Sequence, residues 1–243
     1  MPFCPQCGTE SADAARFCHV CGTALSGEPR ADGETIAVAE HVASPPAAMV
    51  ELRKTVTILF CDVTGSTSLG EQLDPESMRR VMQRYFDEIS QAIEHHGGTI
   101  EKFIGDAVMA AFGIPVLHED DALRAVRAAA EMRARLQQVN DELEREWGVR
   151  IQARTGVNTG EVVAGDVDGG QLFATGDTVN VAARLEQSAA PGEIILGDQT
   201  LRLVRDAVTV EPLAPLELKG KAQTVQAWRL LEVTPHAPGL ARR

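Results

Sequence analysis

The sequence lacks the features that mark membrane, secreted and nucleic-acid-binding proteins. Its 243 residues contain no run of about 18 apolar residues, so we expect no transmembrane helix and no membrane partner. The N-terminus, MPFCPQCG, has neither the basic nor the apolar region of a signal peptide, and we therefore expect a cytoplasmic chain. Positive charge is scarce, since 23 Lys and Arg stand against 35 Asp and Glu, a net charge of −12. This balance argues against binding to nucleic acid, although a few local cations or a metal could still hold a small anion.

Cysteine is nearly absent beyond the N-terminal segment, where four of the five cysteines lie. They form two CxxC pairs: Cys4, Cys7, Cys18 and Cys21. In a cytoplasmic chain this spacing predicts a Cys4 zinc ribbon over residues 1–23, with the metal supplying the folding energy. Four protein ligands leave no open position, so the zinc would be structural; a pair of redox dithiols is the alternative, but it lacks a βαβ context. Cys61 remains and is expected to be a buried, inert thiol.

The pattern changes after a linker-like stretch. Residues 24–52 mix Gly, Pro, Ser and Ala without a usable period, which predicts a flexible linker. Over residues 53–232 the periodicity predicts β-α-β-β-α-β, then a helix near 177–189, a strand EIILG, a short helix and two late strands near 208–218 and 224–232. This order predicts an α+β domain with a ferredoxin-like core, followed by a C-terminal tail at 233–243.

Local signals set the expected bounds of the core elements. The first strand spans about 55–62, and the following helix begins at Asp74-Pro75 and stops at Gly97-Gly98. Gly105-Asp106 predicts the turn of a hairpin. A long helix is expected over about 118–147, followed by the strand VRIQARTGVN.

The stretch TVTILFCDVTGST changes from a buried strand to a carboxylate and a loop of small, hydroxylated residues. One interpretation is a strand end, a turn and a helix cap. The other is a metal-binding Asp62 beside a backbone cradle for phosphates. The loop residues concerned are Thr64, Gly65, Ser66 and Thr67. If the first strand neighbours the hairpin, Asp62 and Asp106 meet at one edge of the sheet, where two carboxylates suit Mg²⁺ or Mn²⁺.

Five motifs occur in order along the chain, and together they resemble the class III nucleotidyl cyclases, the adenylate and guanylate cyclase family. They are LFCDVTGST, EKFIGDAVMAAFG, TGVNTGEVVAGDV, TGDTVNVAARLE and LKGK. The resemblance covers about residues 53–232. It implies that ATP is converted to 3′,5′-cyclic AMP and pyrophosphate at a homodimer interface, with two Mg²⁺ or Mn²⁺ ions per active site.

The resemblance implies roles for individual residues. Asp62 and Asp106 match the metal-binding pair, with the backbone of Val63 as a further ligand. Asn180 and Arg184 match the pair that orients the ribose and stabilises the transition state, and their i, i+4 spacing puts both on one helix face. In the family one subunit supplies the aspartates and the other supplies the purine lysine and the catalytic pair, so a homodimer with two sites is implied.

The purine position departs from the family pattern. Lys102 matches the lysine that reads the purine and resembles the adenine-selective form. The second purine-binding residue is usually Asp or Thr, four positions before Asp177, where this sequence has Phe173. Thr175 could substitute for it, or Phe173 could stack on the base.

Basic residues elsewhere are candidates for phosphate contacts. Lys219 matches a triphosphate-contacting lysine, with Lys221 as the alternative. Arg154 is either a second triphosphate contact or a solvated strand arginine. The six histidines show no constellation, and His95 and His96 are expected at a helix end, where the dipole favours them.

Three alternatives to an adenylate cyclase stay open. A guanylate cyclase is disfavoured by Lys102. A non-catalytic nucleotide-binding module that regulates a partner is supported by Phe173 alone. The third alternative is an interaction protein, in which the zinc ribbon recruits a protein partner and the domain only dimerises.

Overall fold

Eight strands and five helices occur in the part of the chain that the structure describes. The computed structural model describes residues 52–167, 171–216 and 224–234, so the predicted zinc ribbon, nearly all of the linker and most of the tail lie outside it. The strands are β1 (Leu52–Thr64), β2 (Thr99–Ile104), β3 (Ala107–Phe112), β4 (Gln152–Val167), β5 (Gln171–Thr175), β6 (Ile194–Gly197), β7 (Val208–Pro212) and β8 (Ala227–Val233). The helices are α1 (Ser66–Gln72), α2 (Pro75–His95), α3 (Asp121–Trp147), α4 (Asp177–Ser188) and α5 (Asp198–Val204).

The strands form one mixed sheet in the order β2-β3-β1-β4-β6-β8-β7, and β5 pairs with β4 off this path. β1 is antiparallel to both β3 and β4, while β6 is parallel to β4. The predicted α+β class and the β-α-β-β-α-β order of the core are therefore confirmed. Within the described helices, none is long and apolar enough to cross a membrane.

Strand alternation divides the core between the two faces of the sheet. Leu59, Cys61 and Val63 of β1 pack with α2 and α3 in a large apolar cluster. Ile58 and Phe60 point to the other face, where a smaller cluster includes Ala182 of α4. We call the first side the core face and the second the site face.

The predicted start and stop signals of α2 are confirmed by the structure. Asp74 caps the helix by accepting a hydrogen bond from the Ser77 amide at 2.9 Å, and Pro75 is the first helical residue. The helix ends at His95, and Gly97 then adopts a left-handed φ of 77°. Because a side chain is strained in that conformation, a glycine is favoured at this turn.

Several bounds differ from the sequence prediction. β1 extends beyond 55–62 at both ends, because it pairs with β4 along its whole length from Leu52 to Thr64. α3 begins at Asp121 rather than near residue 118, because the Asp121 carboxylate accepts a hydrogen bond from the backbone amide of His118 and closes a turn there. The first late strand ends at Pro212, short of residue 218, although the Leu213 amide still donates to the Ala227 carbonyl at 3.0 Å. The short elements α1 and β5 were not predicted.

Candidate active site

The two aspartates of the predicted metal pair lie side by side at the end of the β1–β3 ladder. Cys61 pairs with Val108, so Asp62 comes next to the turn that carries Asp106. That turn connects β2 to β3, and Gly105 takes a left-handed φ of 65° in it. The predicted hairpin and the predicted neighbourhood of the two carboxylates are confirmed.

The environment of Asp62 disfavours its negative charge. Its side chain is 18% exposed. Burial raises the pKa of Asp62, and the negative charge of Asp106 raises it further, while Arg154 acts in the opposite direction. A divalent cation would stabilise the negative charge of Asp62 beside Asp106, and two neighbouring carboxylates are a suitable donor set for such an ion.

Arg154 bridges this aspartate to a second acidic group. It stands opposite Asp62 in the β1–β4 register and donates from its guanidinium to Asp62 Oδ2 at 2.9 Å. Its Nε lies 2.5 Å from Oε1 of Glu186 on α4, as an ion pair. The solvated-arginine interpretation of Arg154 is therefore wrong, because this side chain is held by two carboxylates. A triphosphate contact for Arg154 stays a prediction.

Glu186 is a member of this site that the sequence analysis missed. It is 5% exposed, and burial together with the charges of Asp62 and Asp106 raises its pKa to about 7, although Arg154 opposes the shift. Its signal was present in the sequence: Glu186 follows Ala182 by one helical turn, on the same apolar stripe of α4. A carboxylate on such a stripe needs a charged partner, which here is Arg154.

Two glycines of β4 allow α4 to pack close to the sheet. A Cβ at Gly156 would lie 2.3 Å from the Glu186 amide nitrogen and 2.4 Å from the Ala182 carbonyl oxygen. At Gly160 it would lie 2.5 Å from Thr178 Oγ1. The Thr178 hydroxyl also donates to the backbone carbonyl of Glu161 at 2.6 Å, which fixes the start of the helix on the strand. The glycines of the TGVNTG motif thus allow the approach that brings Glu186 to Arg154.

The predicted catalytic pair lies on the other side of α4. Asn180 is exposed and Arg184 is partly exposed, whereas Ala182 and Leu185 pack inward. Within one chain, the predicted catalytic pair therefore faces away from the sheet that carries Asp62.

The predicted phosphate loop is a strand end followed by a short helix. Gly65 has a left-handed φ of 75° and is the N-cap of α1, which begins at Ser66 and includes Thr67. The Thr64 hydroxyl donates to the carbonyl of Gln152 at 3.1 Å, which ties this end of β1 to β4. The turn-and-cap interpretation is correct for the backbone, and the phosphate role of these residues stays a prediction.

The strands that carry the predicted purine residues approach each other. Lys102 is exposed on β2, and Phe173 and Thr175 lie on β5, which runs close to β2. Lys219 and Lys221 lie outside the described residues, and their phosphate role stays a prediction.

A separate cleft of about 470 Å³ opens on the core face. Its lining includes Cys61, Met132 and Thr155, but neither Asp62 nor Asp106. Cys61 is buried there and receives a hydrogen bond from Thr155 at 3.5 Å. Burial raises the pKa of Cys61 to about 11, against weaker opposition from that bond. The expected burial of this thiol is confirmed, and the raised pKa supports the prediction that it is inert.

The chain is similar to several known proteins. "Adenylate cyclase 1" of Rhizobium meliloti (strain 1021) is 31% identical over 186 residues, which cover 74% of this chain and 28% of the relative. The chain therefore spans just over a quarter of the length of that curated relative. The adenylyl cyclase CyaB from P. aeruginosa superposes with a TM-score of 0.72 at 29% identity, covering 78% of this chain and 98% of that one.

A guanylyl cyclase structure is equally similar. The guanylyl cyclase Cya2 superposes with a TM-score of 0.73 at 35% identity, covering 79% of this chain and 99% of that one. The family model described as "Adenylate and Guanylate cyclase catalytic domain" matches residues 49–231. That match takes in both aspartates, Arg154 and α4, and the chain belongs to the adenylate and guanylate cyclase catalytic domain family.

Proposed function

We propose that this chain is an adenylate cyclase, which converts ATP to 3′,5′-cyclic AMP and pyrophosphate. The observation that carries the proposal is that Asp62 and Asp106 lie side by side at the end of the β1–β3 ladder, with Arg154 bound to Asp62. Two carboxylates suit Mg²⁺ or Mn²⁺, which take their remaining ligands from the phosphates of the substrate.

The metal ions would be held by Asp62, Asp106 and the backbone of Val63. When bound, two Mg²⁺ or Mn²⁺ ions supply Lewis acidity for the ribose 3′-hydroxyl and charge neutralisation for the phosphates. Arg154 is already positioned beside Asp62, so the binding of cations to that carboxylate would free its guanidinium for the triphosphate. The amides at the start of α1, near Thr64–Thr67, are further donors for phosphate oxygens.

Asn180 and Arg184 act in this proposal as residues of the neighbouring subunit. Asn180 orients the ribose, and Arg184 offsets the charge that develops at the α-phosphate. Both face away from the sheet of their own chain, which supports a shared site in a homodimer. Two large apolar side chains at the tip of β2 are half exposed, Phe103 at 52% and Ile104 at 49%, as expected for a surface that a second subunit covers.

Lys102 supports ATP as the substrate, with Phe173 or Thr175 completing the purine pocket. GTP is the second candidate, and similarity to the guanylyl cyclase Cya2 favours keeping it. A nucleotide-binding regulatory module without turnover is the third. The zinc ribbon formed by the four N-terminal cysteines, the cytoplasmic location and a protein partner for the ribbon stay proposals beside this one.

The test is cyclic nucleotide formation by the purified chain with ATP or GTP, in Mn²⁺ and in Mg²⁺. We expect cyclic AMP from ATP, and we expect Asp106→Ala to abolish it. The matched control is Asp141→Ala, which removes a 72% exposed carboxylate from α3 and should retain activity. Cyclic GMP alone would favour the guanylate cyclase, and no product from a folded dimer would favour the regulatory module.

A further inference from the structure

A second group of potential metal ligands lies away from the aspartates. Among the described residues, only His95, His96 and Glu131 form a group of three His, Cys, Asp or Glu side chains whose ligand atoms all lie within 4.8 Å of one another. His95 is the last residue of α2, His96 follows it, and Glu131 lies on α3. The expectation that the histidines form no constellation was wrong, because α3 brings a carboxylate to the end of α2.

We propose that His95, His96 and Glu131 form a binding site for a divalent transition-metal ion of the Zn²⁺ class, which links the end of α2 to α3. The site is independent of the cyclase activity and of the Asp62–Asp106 pair. It lies on the helices of the core face, whereas Asp62 belongs to the site face.

The ligand atoms are close to the spacing that zinc requires. His95 Nδ1 lies 3.0 Å from Glu131 Oε2, and His96 Nε2 lies 2.8 Å from the same oxygen. Bonds of about 2.0–2.1 Å to nitrogen and oxygen in a tetrahedron put neighbouring ligand atoms about 3.3 Å apart. Each nitrogen therefore needs to move away from the Glu131 oxygen by only about half an ångström or less, which side-chain rotation can supply.

The carboxylate is oriented for this role by a second layer of contacts. Glu131 Oε1 accepts a hydrogen bond from Arg135 Nε at 2.7 Å, which leaves Oε2 directed at the two imidazoles. Arg135 is itself held by Glu88 at 3.0 Å and Gln91 at 3.2 Å. Metal-binding side chains commonly have such supporting partners. The ion pair with Glu88 also offsets the positive charge of Arg135, which would otherwise repel a cation.

The exposure of the two histidines suits metal binding. His95 is 66% exposed, so an ion can enter from solvent, while His96 is 18% exposed. Imidazole ligands select Zn²⁺ and similar ions over Mg²⁺, and three protein ligands leave one position for water.

The first experiment counts zinc in the full chain. Wild type and variants are stripped with a chelator, dialysed against Zn²⁺ and analysed for metal and protein content. His95→Ala and Glu131→Gln should each hold about one equivalent less zinc than wild type, because both remove a ligand. The matched control is His118→Ala, which removes a histidine that contacts a different carboxylate, Asp121, at 3.2 Å. It should retain the wild-type zinc content. Any zinc that the N-terminal cysteines bind should be the same in all four proteins, so it does not affect the comparison.

The second experiment measures thermal unfolding with Zn²⁺ or Mg²⁺ alone. At about 100-fold excess over the dissociation constant, Zn²⁺ should raise the wild-type Tm by about 5–10 °C, and Mg²⁺ should not act through this site. The rise should be lost in His95→Ala. Because His95 is exposed, this substitution should not disturb the fold. Equal zinc content and an equal Tm rise in wild type and His95→Ala would overturn the proposal. Cyclase activity is not needed for either readout.

Discussion

The two faces of the sheet differ in what covers them, and Cys61 and Asp62 show the difference within one peptide bond. Cys61 points to the core face, where it is 1% exposed among the apolar side chains of α2 and α3. Asp62 points to the site face, where Arg154 and Glu186 replace apolar neighbours and α4 covers only part of the sheet. One strand therefore contributes to the apolar core on one face and to the proposed active site on the other, because its side chains alternate.

The largest expected effect is on activity, and it should distinguish Asp62 from its neighbour Cys61. Asp62→Asn should lower cyclic nucleotide formation by at least about 100-fold, because an amide is a weaker ligand for the metal ions. Cys61→Ala should retain most activity and lower the free energy of unfolding by about 1–2 kcal/mol, because it removes a buried sulfur. Turnover assays and urea unfolding of both variants test this contrast. A large activity loss in Cys61→Ala with wild-type stability would contradict the division between the faces.

The next effect concerns how closely α4 approaches the site face. Gly156→Ala should lower the free energy of unfolding by about 1–3 kcal/mol or more, because its Cβ would meet backbone atoms of α4 that cannot rotate away. Gly70→Ala is the matched control. No atom lies within 4 Å of a Cβ placed there, so the change should be neutral or slightly stabilising.

Urea unfolding compares the two glycine variants directly. Gly156→Ala should also lose activity beyond its loss of stability, because a shifted α4 displaces Glu186 and Arg184 together. If Gly156→Ala were as stable and as active as Gly70→Ala, close helix packing would not be what holds this face together.

Features that depend on local sequence were the more predictable ones. The apolar period of α2, its Asp74 cap and the hairpin at Gly105-Asp106 are local signals, and the structure agrees with them. The neighbourhood of Asp62 and Asp106 was predictable as well, because it required only that β1 neighbour the hairpin. Glu186 and the histidine–glutamate cluster were not predicted, since each depends on a partner brought from a distant element by tertiary packing. Arg154 was placed on the correct strand, but its partner on α4 could not be deduced from strand periodicity.

The third prediction concerns pH. The pKa of Glu186 is raised from the ordinary 4.5 to about 7, primarily by burial. Between these values the folded chain holds a proton that the unfolded chain has released. The stabilisation that this bound proton provides is therefore lost as the pH rises from about 4.5 to 7. The free energy of unfolding should fall by about 1–3 kcal/mol over this range. The raised pKa of Asp62 acts in the same direction at lower pH.

Glu186→Gln should reduce this dependence, because glutamine does not titrate. Urea unfolding at pH 5 and at about pH 8 measures it. The control is Glu142→Gln, which replaces a 51% exposed surface carboxylate and should keep the wild-type slope. A wild-type slope in Glu186→Gln would mean that the buried carboxylate of the site face titrates normally.

The smallest effect returns to the core face. The Tyr85 hydroxyl is buried and lies 3.5 Å from Cys61 Sγ, a weak hydrogen bond to a neutral thiol. Tyr85→Phe keeps the ring and removes only that bond, so we expect a change of less than about 1 kcal/mol in the free energy of unfolding and no change in turnover. Tyr85→Leu, which also removes ring volume, should cost more. If Tyr85→Phe lowered turnover while unfolding stayed unchanged, a hydroxyl on the core face would influence Asp62 through the strand, and the two faces would not be separable in function.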